Sequence, residues 1–467
     1  MVARRLFLVV GLTLVGCNGL LGNEEGELVA AGGSAGVAGA GGAAGTGGSK
    51  PETCWQLLES STASVLDGVD HVGGALTIGS TGNGALESAA RLSQSLFAIE
   101  GFASGIDAQS GVSNGPFVGV FDLQKQLIEQ VRGVPGDTLV PVVPLGKTGD
   151  FAYITPFTSS ITIDAQTVTG SNPNYFAVFR MKGSSLFASA SRTIDSGDIN
   201  RPQVAGDPMG GFVVAPSGWY GEALIAYDDD LKERASATFG NQNVTAKAVT
   251  VGPEGSVYAL FAPQNPTLVM APNATESLSS VDGVAVLVKL DHDLSYEWHQ
   301  VLTAENPLFP HYISAGSAGV AIAWSTKGET ARVGSQELPP CKTVSGQYLL
   351  TLFSTTGQRM WTRSYGGNTA AVALGSNGVT VWTVDQLAIE GSTVKKQSGA
   401  VPFHVSLAGS LDWVQTIGST IGPIQASSAA ASSTGEALFG GTYFGTLQIP
   451  SPIGSGGSQR GFLLWLQ

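Results

Sequence analysis

Residues 348–385, YLLTLFSTTGQRMWTRSYGGNTAAVALGSNGVTVWTVD, decide the fold. An apolar alternating run ends in a Thr355-Thr356-Gly357 turn, and a second run carries Trp361. Gly366-Gly367 breaks it, and a third run follows Ser376-Asn377-Gly378. Alternation with a period of two, in β-branched and aromatic residues, marks strands rather than a helix. Short turns rich in Gly and Asn make the three strands antiparallel neighbours.

Echoes of this unit run along most of the chain. The opening strand recurs at 117–121 (FVGVF), 175–179 (YFAVF), 223–227 (ALIAY), 285–290 (AVLVKL), 348–352 (YLLTL) and 402–405 (PFHV). A short polar turn follows it, and the second strand carries Trp298, Trp361 and Trp413 at similar offsets. The clearest element is an apolar strand introduced by glycine. It appears after Gly149, Gly211, Gly255, Gly319, Gly378 and Gly435, with a degenerate copy at 93–99. A weaker fourth strand follows several of these, at 160–163, 267–270, 387–389 and 446–449. The copies lie about 57 residues apart on average, a period of propellers and other arrays. Four short antiparallel strands repeated seven times predict an all-β fold, a seven-bladed β-propeller of four-stranded blades. A sheet this thin cannot bury its own faces, so the ring is stable only when complete. The chain ends on 461–466 (GFLLWL), which matches an opening strand and then stops, whereas the first unit lacks one. The C-terminal strand is therefore expected to complete the first blade and cover its open edge.

The pattern of apolar strand, turn ending in Gly, Trp-bearing strand, Gly-Gly and Gly-initiated strand resembles the bacterial SBBP (seven-bladed β-propeller) repeats. STTGQRMWTRSYGG, residues 354–367, carries the resemblance best, which extends over about residues 72–467. The repeat is also distantly similar to the quinoprotein-type propeller repeat. The Trp-Asp signature of WD40 repeats is absent, since Asp412-Trp413 has the reverse order.

Residues 1–17, MVARRLFLVVGLTLVGC, read as a signal peptide: Arg4 and Arg5 supply the positive region and 6–15 the apolar region. The apolar run is too short for a stable transmembrane helix. Leu14-Val15-Gly16-Cys17 resembles the lipobox of bacterial lipoproteins, which implies Cys17 as the lipidated first residue of the mature protein and a tie to the lipid bilayer. Asn18 after the cysteine implies, by analogy with lipoprotein sorting, the outer membrane, facing either the periplasm or the cell surface. Residues 18–50 pass from Glu24-Glu25 and Glu27 into AAGGSAGVAGAGGAAGTGGSK, a flexible tether without a core. Such tethers resemble those of myxobacterial surface lipoproteins. Residues 51–69 begin with Pro51 and Glu52, which suit a helix start, and Trp55 and Leu58 could pack on the propeller. Residues 70–467 are the propeller itself.

The net charge is −13 for the whole chain, and about −15 once Arg4 and Arg5 are removed with the leader. Only 13% of residues are charged. That composition suits an exported all-β domain and argues against nucleic acid, which requires a basic footprint. With Cys17 assigned to lipid, Cys54 and Cys341 remain in an oxidising compartment, where a leftover pair reads as a disulfide. Such a bond would staple the N-terminal segment to the ring and close a loop of about 290 residues. Free thiols are the other reading, since proximity cannot be read from spacing.

Few motifs point to chemistry. Gly146-Lys147-Thr148 ends like a phosphate-binding loop, but Pro141 stands where that motif needs glycine and a strand follows instead of a helix. Residues 32–36 (GGSAG) match a nucleophile elbow by letter only, within the tether. Asp228-Asp229-Asp230 and Asp291-His292-Asp293 occupy equivalent turns. They read as solvated turns, because calcium needs six to eight oxygens in a defined loop. His71, His292, His299, His311 and His404 show no metal spacing, and His404 is expected to line the central channel from a first strand. Trp219-Tyr220 could offer an aromatic platform, although core packing is the commoner role of such residues. No cofactor, metal or catalytic set is assigned.

The reading favoured is a membrane-tethered binding or scaffold propeller, monomeric, taking a protein or glycan ligand, with no catalysis. The alternatives are a propeller enzyme (lyase, glycosidase or quinoprotein-like) and an envelope-assembly factor. The second resembles the propeller lipoprotein of outer-membrane barrel assembly in its gross layout alone. Fold by itself decides among none of these.

Overall fold

The computed structural model describes residues 72–78, 84–91, 96–103, 115–122, 127–132, 142–146, 149–157, 159–163, 165–170, 175–182, 187–195, 203–215, 223–239, 244–263, 267–271, 274–277, 283–327, 330–338, 347–389, 392–421, 424–431, 436–449, 452 and 459–466. All belong to the second of two units of the chain, Pro51–Gln467. The expectations for Cys17, Cys54, Cys341, His71, Trp219-Tyr220 and the tether lie outside these residues.

Successive strands pair with their neighbours in sequence, as short turns dictate. One meander runs Gly84–Arg91, Leu96–Ala103, Gly115–Asp122, Leu127–Arg132. The next runs Val143–Leu145, Asp150–Pro156, Tyr175–Lys182, Phe187–Asp195, and the next Gln203–Gly206, Phe212–Ala215, Ala223–Tyr227, Glu233–Thr238. A six-stranded sheet contains Val244–Val251, Val257–Pro263, Val284–Leu290 and Tyr296–Ala304. Its outer edge is extended by a hairpin, Ala331–Val333 with Gln336–Leu338. In the largest sheet, Leu308–Gly316, Gly319–Thr326 and Gln347–Phe353 lead into the 16-residue strand Arg359–Leu374. The first half of that strand pairs back on Gln347–Phe353. Its second half opens a further meander with Gly378–Ile389, Phe403–Ser406 and Leu411–Val414.

The sheet that closes the molecule is made from both ends of the described chain. Gln425–Ala431 and Ala437–Phe444 are followed by the last strand, Gln459–Leu466, and then by the earliest, Val72–Ile78. Phe462 thus pairs with Gly441 on one side and Thr77 on the other. The expected pairing of the terminal strand with the start of the repeats is present. The sheet it completes is the last one in chain order, and the earliest described strand, Val72–Ile78, is its outer edge.

First strands of successive meanders touch one another in turn, and Gln425–Ala431 touches both Arg359–Leu374 and Gly84–Arg91. The sheets therefore stand in a closed ring around an axis lined by first strands, and the chain is an all-β propeller. Apolar cores fill the wedges between adjacent sheets. In one, Leu260, Leu287 and Leu302 meet Ile322, Trp324 and Leu349. Middle strands are packed on both faces, so they read as largely apolar runs: all seven residues of Val284–Leu290 are buried, Lys289 among them.

The phase of the repeat differs from that expected. The opening strand of the sequence unit is the third strand from the axis, and the Trp-bearing strand is the fourth. The Gly-initiated strand is the second. The first strand was not anticipated at all, because QASSAAA at 425–431 and QVAG at 203–206 lack apolar alternation. The weak "fourth" strands are detours between second and third strands: Ser160–Ile163 pairs with Gln166–Thr169, and Thr267–Ala271 with Ala274–Ser277. His404 is likewise displaced from its expected place. It lies in Phe403–Ser406, a third strand away from the axis, 4% exposed, and stacked on Trp413 at 5.7 Å.

Candidate functional site

In an antiparallel meander, the turns joining strands one to two and three to four fall at one end of the sheet. The detours between strands two and three fall at the other. The two ends have different chemistry.

The turn end is a belt of staples between sheets. Asp228 and Asp291 fold back on their own turns, each Oδ1 accepting from two backbone N–H groups at 2.8–2.9 Å. Ser354 and Ser406 accept in the same way through Oγ, from Gln358 and Ser410. The anticipated solvated character holds only for the tips, Asp230 and Asp293, whose side chains are 67% and 74% exposed. In three sheets the fourth strand then reaches the next sheet's turn. Trp298 Nε1 donates to Thr355 O at 3.0 Å, Trp361 Nε1 to Leu407 O at 2.9 Å, and Arg234 Nη2 to His292 O at 2.8 Å. Asp207, fully buried, accepts from Met209 N and from Arg234 Nη2, and His292 Nε2 lies 3.1 Å from its Oδ2 while also meeting Arg234 Nη1. Asp150 holds Arg180 and Lys182, and Arg180 extends to Asp230 of the next sheet. The buried carboxylates of this belt are committed to partners, so the belt holds sheets together. Among the described residues, no group of three His, Cys, Asp or Glu side chains could hold a metal.

The opposite end is less committed. Five first strands carry a β-bulge at the same level, four or five residues before the turn. The extra residues are Glu87, Lys247, His311, Ala370 and Ser427. A bulge leaves its extra residue out of the ladder and re-aims it. Lys247 and Ser427 are accordingly exposed, and Lys247 stands between buried Ala246 and Ala248. Ala315 N donates to Thr250 Oγ1 at 3.4 Å, which sets the stagger of two adjacent axial strands. Counting back three residues from each puts Lys247 level with Tyr312, beside the His311 bulge.

Around His311 the site becomes aromatic. Its ring stacks on Tyr348 at 5.8 Å and lies at 6.3 Å from Tyr312. Its Nε2 pairs with Ser325 Oγ at 2.7 Å. Burial lowers its pKa to about 4, so the ring is neutral near pH 7. Burial likewise raises the Tyr312 and Tyr348 hydroxyls. Tyr348 Oη donates to Asn368 Oδ1 at 2.5 Å, and behind it Tyr365, fully buried, bonds Thr369. Two residues along the axial strand from His311, Phe309 is 44% exposed. Lys327, exposed, follows the strand that pairs with Phe309. Neither Lys247 nor Lys327 has a partner for its ammonium among the described residues. This end thus joins a half-buried aromatic wall, amide and hydroxyl groups, one exposed phenyl ring and two free cations.

Sequence reasoning singled out His311 only to find no metal spacing, and it missed Phe309, Tyr312, Tyr348 and Lys247 as a group. The available signal was slight: a single polar residue set among alanines, as at Lys247. His299 pairs locally with Tyr296 Oη at 2.8 Å, and His404 Nδ1 with Asp412 at 2.9 Å. Gly146 is a turn residue with φ 55°, as its sequence context predicts.

The chain matches no family model and no curated protein. Among solved structures it is similar to the WD40 β-propeller domain of Doa1, with 9% identity, a TM-score of 0.37, and coverage of 84% of this chain and 96% of that one. A eukaryotic initiation factor is similar at 10% identity and a TM-score of 0.35, with coverage of 78% and 74%.

Proposed function

We propose that this chain is a binding or scaffold propeller of seven blades, tethered to the outer membrane by lipid on Cys17, with its ligand taken at the bulged end of the axial strands. The observation that carries the binding role is the His311–Tyr348 wall with Phe309 beside it. Tyrosine offers a large, rigid, amphipathic contact surface, and Asn and Ser adapt their hydrogen bonds to a partner. The opposite end spends its polar groups on internal staples. The count of seven is supported by four free-standing meanders, one within the six-stranded sheet and two sharing Arg359–Leu374. The tether rests on the lipobox-like run ending at Cys17 and the Gly/Ala stretch after it.

A photo-crosslinking residue placed at Phe309 in the full chain, in intact envelopes, tests the binding role. Met360, 45% exposed beside the turn end, is the control position. Adducts from 309 and none from 360 are expected. Equal adducts from both, or none from 309, would overturn the assignment. For the anchor, Cys17→Ser should abolish labelling by palmitate and release the protein from membranes. For the disulfide, peptide mapping without reductant should recover Cys54 joined to Cys341.

A further inference from the structure

The ligand class at this end can be narrowed, on the basis of the binding role just proposed. We infer that the site takes an acidic polypeptide segment carrying an aromatic or aliphatic anchor residue. Phe309 supplies the apolar contact. At 44% exposure it is one of four large apolar side chains standing out among the described residues, and the one that lies beside the aromatic wall. Its strand neighbour Pro310 lacks a backbone N–H, which leaves this stretch unable to add a peptide strand through a full ladder. Recognition must therefore run through side chains.

Charge selects the partner's sign. The protein carries net −13, and its buried or half-buried cations at the turn end are paired with carboxylates. Lys247 and Lys327 are exposed and without an ion-pair partner among the described residues, one on and one just after the two strands that border Leu308–Gly316. His311 adds no charge, because burial keeps its imidazole neutral and Ser325 occupies Nε2. Two lysines without carboxylate partners among the described residues, beside an apolar anchor, suit carboxylates spaced around a hydrophobic side chain. Glu305, exposed in the same stretch, and Glu87, at the bulge of another axial strand, set a limit: a basic segment would gain a partner at Glu305 and meet two repelling ammonium groups.

The test uses the full chain in detergent micelles and two fluorescein-labelled 14-residue peptides, one of Glu and Asp around a central Phe-Leu pair, the other with Lys for each acid. Fluorescence anisotropy should show the acidic peptide binding at least tenfold more tightly at low salt, and the preference should weaken as salt rises. Lys247→Glu with Lys327→Glu should cut its affinity about tenfold or more, and Phe309→Ser should do so at any salt. Lys232→Glu, an exposed lysine at the turn end, should leave it within twofold. Equal affinity for both peptides, no binding of either, or an equal loss with Lys232→Glu would overturn the inference. So would protection of Phe309 from the acidic peptide by anionic phospholipid vesicles alone. If the crosslinks from position 309 persist while neither peptide binds, the binding role stands and the acidic ligand class is wrong.

Discussion

Gly357 shows how one residue links two sheets. It has φ 81°, and a Cβ there would stand 2.8 Å from the Trp298 ring of the neighbouring sheet. Gly409 repeats the arrangement at φ 83°, with Trp361 2.9 Å away. The glycine in the turn and the tryptophan in the fourth strand are therefore one device, in which the missing side chain lets the indole lie over the backbone and donate to a turn carbonyl. Gly357→Ala should destabilise by about 2 kcal/mol, from left-handed backbone strain plus the displaced ring, as a lowered urea midpoint. Leu231 and Leu294 hold the equivalent position in two sheets with φ 61°, and both are buried. Leu294→Gly should therefore change stability by only about 1 kcal/mol, since strain relief offsets most of the lost burial. His311 makes a pH prediction. Its folded pKa of about 4 lies below the unfolded 6.5, so the unfolded chain takes up the proton first as pH falls. Its contribution is intact above pH 6.5 and declines down to about pH 4, by up to about 3 kcal/mol. His311→Gln should flatten that part of a stability–pH curve, and an unchanged slope would show that burial does not hold the imidazole neutral.

At the scale of the strand, legibility followed side-chain contrast. Second and third strands were plain in the sequence because both their faces are packed, as in VAIAW at 320–324. Turns were plain because glycine and aspartate have few other reasons to recur at that offset. Several first strands were hidden: Gly84–Arg91, Gln203–Gly206 and Gln425–Ala431 crowd around the axis and rely on Ala, Ser and Gly, residues that carry no apolar period. Missing them shifted the phase by two strands and made detours such as Ser160–Ile163 pass for blade edges. The site was hidden for the same reason, since a bulge is a property of pairing with the next strand and has no local spelling. The closing strand, by contrast, was legible, and its burial is nearly complete: Phe462, Leu463 and Leu464 at 0%, Leu466 at 1%. Each such side chain contributes about 1.5–3 kcal/mol of burial, so deleting residues 461–467 removes about as much as a domain's whole net stability. The truncated chain should lack a cooperative thermal transition and be digested by trypsin throughout.

The molecule as a whole behaves as a loop of sheets held by their neighbours, and one junction differs from the rest. Every other sheet among the described meanders is stitched from consecutive chain, whereas the closing one joins Gln459–Leu466 to Val72–Ile78 by hydrogen bonds and packing. Partners there run from Val72 opposite Leu466 to Ile78 opposite Gly461. Val72 and Leu466, the two ends of the described chain, therefore lie side by side at the same end of one ladder. A pull applied between them loads those bonds singly, in the manner of a zip opened from its slider, and never all together as in shear. Force spectroscopy with handles at residues 72 and 466 should show rupture at low force. Handles at 72 and 461, which load the same ladder in shear, should resist more. The seam that makes the circle complete is also where mechanical tension would unlace it.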